Sequence, residues 1–341
     1  MNAKAAFNTV ALTAMAATIL LSIPLVGGFF GRLHPAFDSM AHFRVHLAAL
    51  LVFAALPLLL SRSLRWHGLL AATFGCAAIL TVTGTSFLRG LGPVQAAFQP
   101  KDEISPVYRL MQLNLRFDNP EPGKVLSLIG RVRPDVVTLD EVSEMWSEKL
   151  ALLASAYPYR ILCEMDNRAG GVAILSVRPF AEDADGGCLD GGTFAVATVD
   201  LGGRFVDIGA FHLHWPWPFD QLRQIENMAP RLAATAETTI LAGDTNATPW
   251  SVASARIADA AGMISAGPIR PTWLYRRLPE FLRFAGLPID RIFTKGDVIV
   301  HSVQTLEAVG SDHLPVLVEF SLRAAGPKQE DPLTATAALV E

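Results

Sequence analysis

Six stretches of this 341-residue chain set chemistry-bearing side chains directly against apolar runs. Asn114 closes Leu110-Met111-Gln112-Leu113, and Glu141 follows Val136-Val137-Thr138-Leu139-Asp140. His212 ends Val206–Phe211, and Asp244 and Asn246 follow Thr239–Gly243. Asp290 lies inside Ile289–Phe293, and Ser311-Asp312-His313 precedes the last apolar run. Any one of these alone is ordinary turn or capping chemistry. Together they offer a reaction. Glu141 and Asp312 are hard oxygen ligands, and with Asn114 they suit Mg²⁺, which keeps its waters and bridges to phosphate. His212 and His313 supply a hydrogen-bond donor and a proton acceptor. Asp244 and Asn246, two apart, point the same way if the chain there is extended. The sequence contains no HExxH, no cysteine cluster and no G-x-S-x-G, which argues against a zinc site or a serine hydrolase.

Rigid elements must hold such a set in place. The pattern from residue 108 reads as strands Arg109–Leu115, Val136–Leu139, Tyr159–Cys163, Gly171–Leu175, Phe194–Asp200, Phe205–Phe211, Thr239–Ala242, Ile289–Phe293 and Pro315–Ser321. Helices are expected at Pro122–Val132, Glu144–Ala154, Phe219–Ala236 and Ser251–Ala261. Gly202-Gly203 makes Phe194–Phe211 a hairpin. Hairpins mixed with crossovers suggest two packed sheets with helices outside, not a doubly wound parallel sheet.

The front of the chain is different. Overall, 51% of residues are hydrophobic and 18% charged, below the roughly 25% charge of a soluble domain. Residues 1–90 hold six Lys/Arg and one acid, Asp38, whereas residues 91–341 hold 22 basic and 31 acidic residues, net −9. Three uncharged runs, Ala5–Phe30, His46–Leu60 (extendable through Phe43) and Gly68–Leu88, read as a three-span anchor over 1–90. The first exceeds the apolar core of a signal peptide. Residues 91–107 read as a linker, 108–322 as the catalytic domain and 323–341 as a disordered tail. Lys4, Arg62 and Arg65 fall on one side of the membrane, Arg32, Arg44 and Arg89 on the other, so the positive-inside rule leans only slightly towards a cytoplasmic N-terminus. His34, His42 and His46 read as solvated or interfacial, since only Asp38 is near enough in sequence to help them hold a metal. Cys76 reads as a packed residue of a span. Cys163 and Cys188 would pair if the domain faces an oxidising space. Trp215-Pro216-Trp217-Pro218 is open to two readings, a stacking or membrane-dipping loop and a packed connection.

Taken in order, Met111-Gln112-Leu113-Asn114, Leu139-Asp140-Glu141-Val142, Gly170-Gly171-Val172-Ala173-Ile174, Phe211-His212-Leu213, Gly243-Asp244-Thr245-Asn246-Ala247-Thr248-Pro249, Ile289-Asp290-Arg291-Ile292 and Ser311-Asp312-His313-Leu314-Pro315 resemble the endonuclease/exonuclease/phosphatase superfamily, the DNase I-like phosphodiesterases and phosphatases. The preceding spans and the His212-Leu213-His214-Trp215-Pro216 variant look most like its membrane-anchored branch, which includes a teicoplanin-resistance protein. The resemblance implies a four-layered α/β/β/α sandwich and attack of water on phosphorus aided by Mg²⁺ or Mn²⁺. It implies Glu141 as principal metal ligand, helped by Asn114 and Asp312. It makes His313 the general base or water-positioning residue, oriented by Asp290. Asp244 and Asn246 would position water and bind the phosphoryl group, and His212 would stabilise its non-bridging oxygens. The sequence departs from the pattern at Arg116, where many relatives carry an acid, and at Asp140, where many carry Gln. Asp140 is expected either to add metal affinity or to face solvent.

The implied substrate is a phosphorylated lipid, polyprenyl pyrophosphate-like, reached from the bilayer. Alternatives are a sphingomyelinase-like phospholipase C, a membrane-tethered nuclease, and an inactive scaffold. A nuclease needs a cationic face, and net −9 with one dense cluster, Arg276-Arg277 with Arg283, speaks against nucleic acid. The expected location is a bacterial-type inner membrane, multi-pass, with the catalytic domain on the periplasmic or extracellular side.

Overall fold

The computed structural model describes residues 3–83, 98–101, 105–165, 167–182, 186–266 and 270–323. The continuation of the third apolar run to Leu88, most of the expected linker and the tail after Arg323 lie outside them.

The front is helical: α1 (Ala3–Gly27), α2 (Pro35–Ala41), α3 (Arg44–Leu59) and α4 (Arg65–Thr83). Among the described residues α1 and α4 are long and apolar enough to cross a membrane. The pair α2 and α3, bent by 65°, adds a third span if counted as one. Packing is close because glycines let backbones meet. A Cβ at Gly68 would lie 2.9 Å from Leu58 Cβ, and one at Gly75 would lie 2.9 Å from Ala48 O. Cys76 is exposed on α4, not packed inside as expected, because the glycine face of the helix takes the contact with α3.

The rear is two six-stranded mixed sheets with helices on their outer faces. The first sheet has the order β11 (Val298–Thr305), β12 (Val316–Leu322), β1 (Tyr108–Asn114), β2 (Val136–Val142), β4 (Gly171–Ser176), β3 (Tyr159–Leu162). The second has β5 (Gly187–Leu189), β6 (Phe194–Asp200), β7 (Phe205–His212), β8 (Thr239–Asp244), β10 (Asp290–Lys295), β9 (Ile264–Ala266). Helices α5 (Pro122–Val132) and α6 (Glu144–Leu150) cover the first sheet, and α7 (Gln221–Ala233) and α8 (Val252–Ala261) the second. This is the α/β/β/α sandwich of the DNase I-like fold.

Strand alternation sorts the side chains. Leu110 and Val136 enter the apolar layer between the sheets, with Ile208, Ala210, Ile240, Ala242 and Ile292 opposite. Met111, Leu113, Val137 and Leu139 face α5 and α6, while Phe211, Leu241 and Phe293 face α7 and α8. Continuing the same alternation puts Gln112, Asn114, Asp140, His212, Asp244 and Asp290 on the inter-sheet side, at one end of the sandwich.

Some boundaries move. Helix α6 ends at Leu150 and passes into a 3-10 turn, Ala151–Leu153, before the expected end at Ala154. Helix α7 starts at Gln221 instead of Phe219, since Pro216 and Pro218 precede it. Strand β11, not foreseen, is a half-buried edge strand with a bulge between Val300 and Ser302, and its apolar positions are diluted by His301, Ser302 and Gln304. Part of the expected linker lies along it: Gln99 N donates to Val300 O, and Lys101 pairs with Glu319.

The three loop histidines are contacts to the rear domain. His34 caps α2. His42 Nδ1 accepts from Thr248 N at 3.2 Å, and His46 Nε2 lies 2.7 Å from Ala285 O.

Candidate active site

Register assembles the site. In the second sheet His212 pairs with Asp244, and Asp244 with Asp290, so three adjacent strands bring three functional residues into line. In the first sheet Asn114 pairs with Asp140. Glu141 sits at a bulge between Leu139 and Val142 with φ 57°, which turns its carboxylate into the cleft. His313 reaches the same point from the loop before β12, where its N–H donates to Ser311 Oγ, which donates to Asn114 O.

At the centre His313 Nδ1 is 2.9 Å from Asp290 Oδ2, and His313 Nε2 is 3.6 Å from Asp244 Oδ2. His212 Nε2 is 3.7 Å from the same Asp244 oxygen. Burial disfavours a charged His313, but Asp290 and Asp244 outweigh it and raise the imidazole to about 10. Burial, reinforced by repulsion from Asp290 and opposed by the two histidines, raises Asp244 to about 6. The general-base role that the resemblance implies for His313 needs a neutral imidazole; between two carboxylates it is held as imidazolium at neutral pH.

Asp244 and Asn246 are not extended. Asn246 has φ 46° and its N–H donates to Asp244 Oδ1 at 2.8 Å, an Asx turn. Its amide donates to Leu213 O and lies 3.4 Å from His212 Nε2, so Asp244, Asn246 and His212 still converge.

Asn114 donates from Nδ2 to Glu141 Oε1 at 3.0 Å and to Asp244 Oδ2 at 3.1 Å, while its Oδ1 accepts from Arg116 N. It grips two carboxylates as a donor, which differs from the oxygen ligand the resemblance implies. Glu141 Oε2 accepts from Phe117 N. Each Glu141 oxygen therefore keeps acceptor capacity. Glu141 and Asp312 line one cleft of about 440 Å³, an all-oxygen acidic pair of the kind a hard divalent cation takes. Asp312 Oδ2 accepts from Trp273 Nε1 at 3.2 Å. Asp244, Asp290 and His313 also lie within reach of one ion, but His313 Nδ1 is already committed to Asp290.

Asp140 does not face solvent. It is fully buried, and its Oδ2 accepts from Asp244 N and from Gln112 Nε2. Burial and the nearby Asp244 charge push it well above the usual carboxylate range. Gln112 was not foreseen as a site residue. Its amide also donates to Asp290 Oδ1 at 3.2 Å, tying the two sheets beneath His313. The signal was in the sequence: Gln112 stands two before Asn114, on the same face of a strand.

Arg276 and Arg116 line the cleft and converge on Asp118, whose acidity Arg116 strengthens by hydrogen bonding. Arg283 instead holds the carbonyls of Thr272 and Asp312, so the expected arginine cluster is divided between cleft and scaffold.

The sequence matches the profile of the "Endonuclease/Exonuclease/phosphatase family" over residues 111–313. No curated protein matches it. Among solved structures, the endonuclease/exonuclease/phosphatase from Bacteroides vulgatus superposes with a TM-score of 0.52 at 18% identity, covering 64% of this chain and 100% of that one. Danio rerio TDP2 complexed with a single-strand DNA product gives 0.51 at 19%, covering 63% and 99%. The endonuclease/exonuclease/phosphatase from Beutenbergia cavernae gives 0.50 at 20%, covering 64% and 72%. At these identities the likeness is one of fold.

Proposed function

Because the chain belongs to the endonuclease/exonuclease/phosphatase family, we propose that it is a membrane-anchored, divalent-metal-dependent phosphoesterase acting on a lipid-linked phosphate or pyrophosphate. The observation that carries this reading is the convergence of Glu141, His212, Asp244, Asn246, Asp290 and His313 beside a loop fastened to the apolar front helices. The resemblance to the membrane-anchored branch adds support. The Cys163–Cys188 disulfide suits an oxidising compartment, hence a domain outside the cytoplasm of a bacterial-type cell membrane.

Glu141 and Asp312 would hold Mg²⁺ or Mn²⁺, with Asn114 fixing the Glu141 carboxylate. Bound there, the cation would neutralise charge developing on the phosphoryl oxygens and leaving group. Asp244 is the base: a carboxylate at about 6 lies near the operating pH, where general bases work best. It orients water and accepts its proton as the new oxygen–phosphorus bond forms and the ester bond breaks. His313, held as imidazolium by Asp290, donates to a non-bridging oxygen, and Asn246 and His212 add donors there. Asp140 and Gln112 set the positions of Asp244 and Asp290 from below.

The test is the full chain in nanodiscs with Mg²⁺. Inorganic phosphate released from polyprenyl pyrophosphate is the expected product. Phosphocholine from sphingomyelin, or cleavage of DNA alone, would replace this reading with the corresponding alternative.

A further inference from the structure

A second cavity, about 190 Å³, lies between the catalytic cleft and the front helices. Its walls are Phe43 and His42 from the α2–α3 bend, Trp217 and Phe219 from the loop after β7, and Leu287 and Ile289 before β10. Asn246, the neighbour of His212, closes its inner end. Trp215 and Trp273 line both spaces, with their rings edge to face at 6.0 Å. The cavity is thus an apolar annex to the reacting centre.

The front helices are bolted to this annex. Asp38, buried, accepts from Val252 N and Ala253 N at the start of α8. Trp250 Nε1 donates to Ala41 O, and Ser39 Oγ donates to Trp217 O. Phe43 immediately precedes α3, and the His46–Ala285 contact fastens the 3-10 turn Glu280–Ala285 to the first turn of that helix. Two phenylalanines of that turn, Phe281 and Phe284, are 75% and 77% exposed. Aromatic side chains at this level, where the apolar helices begin, are what a bilayer interface collects.

Resting on the lipid-phosphate reading, we propose that this annex receives the hydrocarbon chain of a single-chain lipid phosphate, whose head passes Trp215 and Trp273 into the cleft. The size selects the class. Pockets that enclose whole drug-sized ligands run about 300–1,000 Å³, and this space holds the first segment of one chain and not two side by side. A two-chain glycerolipid or sphingolipid has no second slot here. The larger groove between α1 and α4 has no wall in common with the cleft.

The test uses the full chain in nanodiscs and two readouts. First, kcat/KM with Mg²⁺ is compared for short-chain and long-chain isoprenyl phosphates. Each methylene entering a dry cavity gains up to about four-fold, so the wild type favours the long chain. Ser39→Phe fills the annex from the α2 side, and Phe43→Asp charges its mouth at an exposed position. Each is expected to lower the long-to-short ratio at least about ten-fold, with circular dichroism confirming the fold. Second, a long-chain alkyl phosphate carrying a diazirine near its head is crosslinked to metal-free protein. Labelling of Trp217, Phe219 or Phe43 is expected, and this readout needs no turnover. If neither phosphate is hydrolysed, the phosphoesterase reading fails, and the crosslink still decides the annex. A chain-length preference unchanged in both folded variants, label confined to the α1–α4 groove, or faster turnover of a two-chain lipid phosphate overturns the annex alone.

Discussion

At the scale of single residues, the site is a set of carboxylates kept apart by donors, and its charges respond to pH in a fixed direction. His313 is raised from 6.5 to about 10 and Asp244 from 3.8 to about 6. In both cases the folded state holds a proton that the unfolded chain would release, so stability is greatest below the unfolded value and falls as pH rises towards the folded one. For the metal-free protein in EDTA, stability should decline across pH 6.5 to 10, by at most about 1.4 kcal/mol per pH unit from this group, read as a falling thermal midpoint. Asp290→Asn removes the counter-charge, lowers His313 and should flatten that decline; an unchanged slope would detach His313 from it. Asp244→Asn should cost roughly 10²–10⁴-fold in kcat, the range for losing a general base. Glu141→Ala should abolish Mg²⁺-dependent hydrolysis and weaken Mg²⁺ binding by calorimetry, with the fold intact. Near wild-type turnover in that variant would move the metal elsewhere. The acids, amides and histidines that converge at the proposed site stand in the sequence as polar side chains beside apolar runs, whereas Gln112 is hidden inside one. Charge states were not, because they depend on which carboxylates lie opposite across the two sheets. The solvent-facing alternative for Asp140 fails for the same reason: its neighbour Asp244 is remote in sequence, and packing makes the acid a buried acceptor.

At the scale of elements, buried hydrogen bonds as well as aromatic contacts fasten the front to the rear. Helix α8 begins with Ser251 accepting from Ser254 N, and Asp38 takes the preceding two amides from another part of the chain. Negative charge at a helix N-terminus is favourable, and here it is buried. Asp38→Ala would strand both amides, at about 1–3 kcal/mol for a buried donor left unpaired. The expected outcomes are a lower thermal midpoint and faster amide exchange at Val252 and Ala253; Asp38→Asn should lose less, since its oxygen still accepts. Unaltered exchange would mean that solvent replaces the cap. Long periodic elements such as α5 were legible to the residue, bounded by Pro122 and by Arg133 in a left-handed turn. The short strands β5 and β9 were not, since three residues carry no periodicity and take their shape from partners on β6 and β10. The α2–α3 bend was likewise hidden: its histidines read as loop polarity until Thr248 and Ala285 stand opposite them.

At the scale of the whole molecule, helix packing fixes which end of the apolar bundle carries the sandwich, and so which side it takes relative to the N-terminus if the bundle crosses a membrane. Gly68, early in α4, packs on Leu58 near the end of α3, whereas Gly75, further along, packs on Ala48 near its start. The two helices are therefore antiparallel, and α4 finishes at the level where α3 begins. Arg44, at that start, donates to Gly28 O just beyond the end of α1. The ends of α1 and α4 and the start of α3 thus share one level, and the sandwich is fastened there through Asp38, Trp250 and His46. Helix α3, with 16 residues, is short for a bilayer core of about 30 Å, but the parity does not depend on its spanning alone: the chain enters at one end of the bundle and leaves at the other. If the N-terminus is cytoplasmic, the sandwich is outside, where the Cys163–Cys188 disulfide is stable. A reporter fused after Glu341 that is active only outside the cytoplasm should therefore be active, and Cys163 and Cys188 should resist alkylation until reduced. Cytoplasmic reporter activity together with freely alkylated cysteines would invert the molecule, and the lipid phosphate of the proposed reading would then have to be drawn from the inner leaflet.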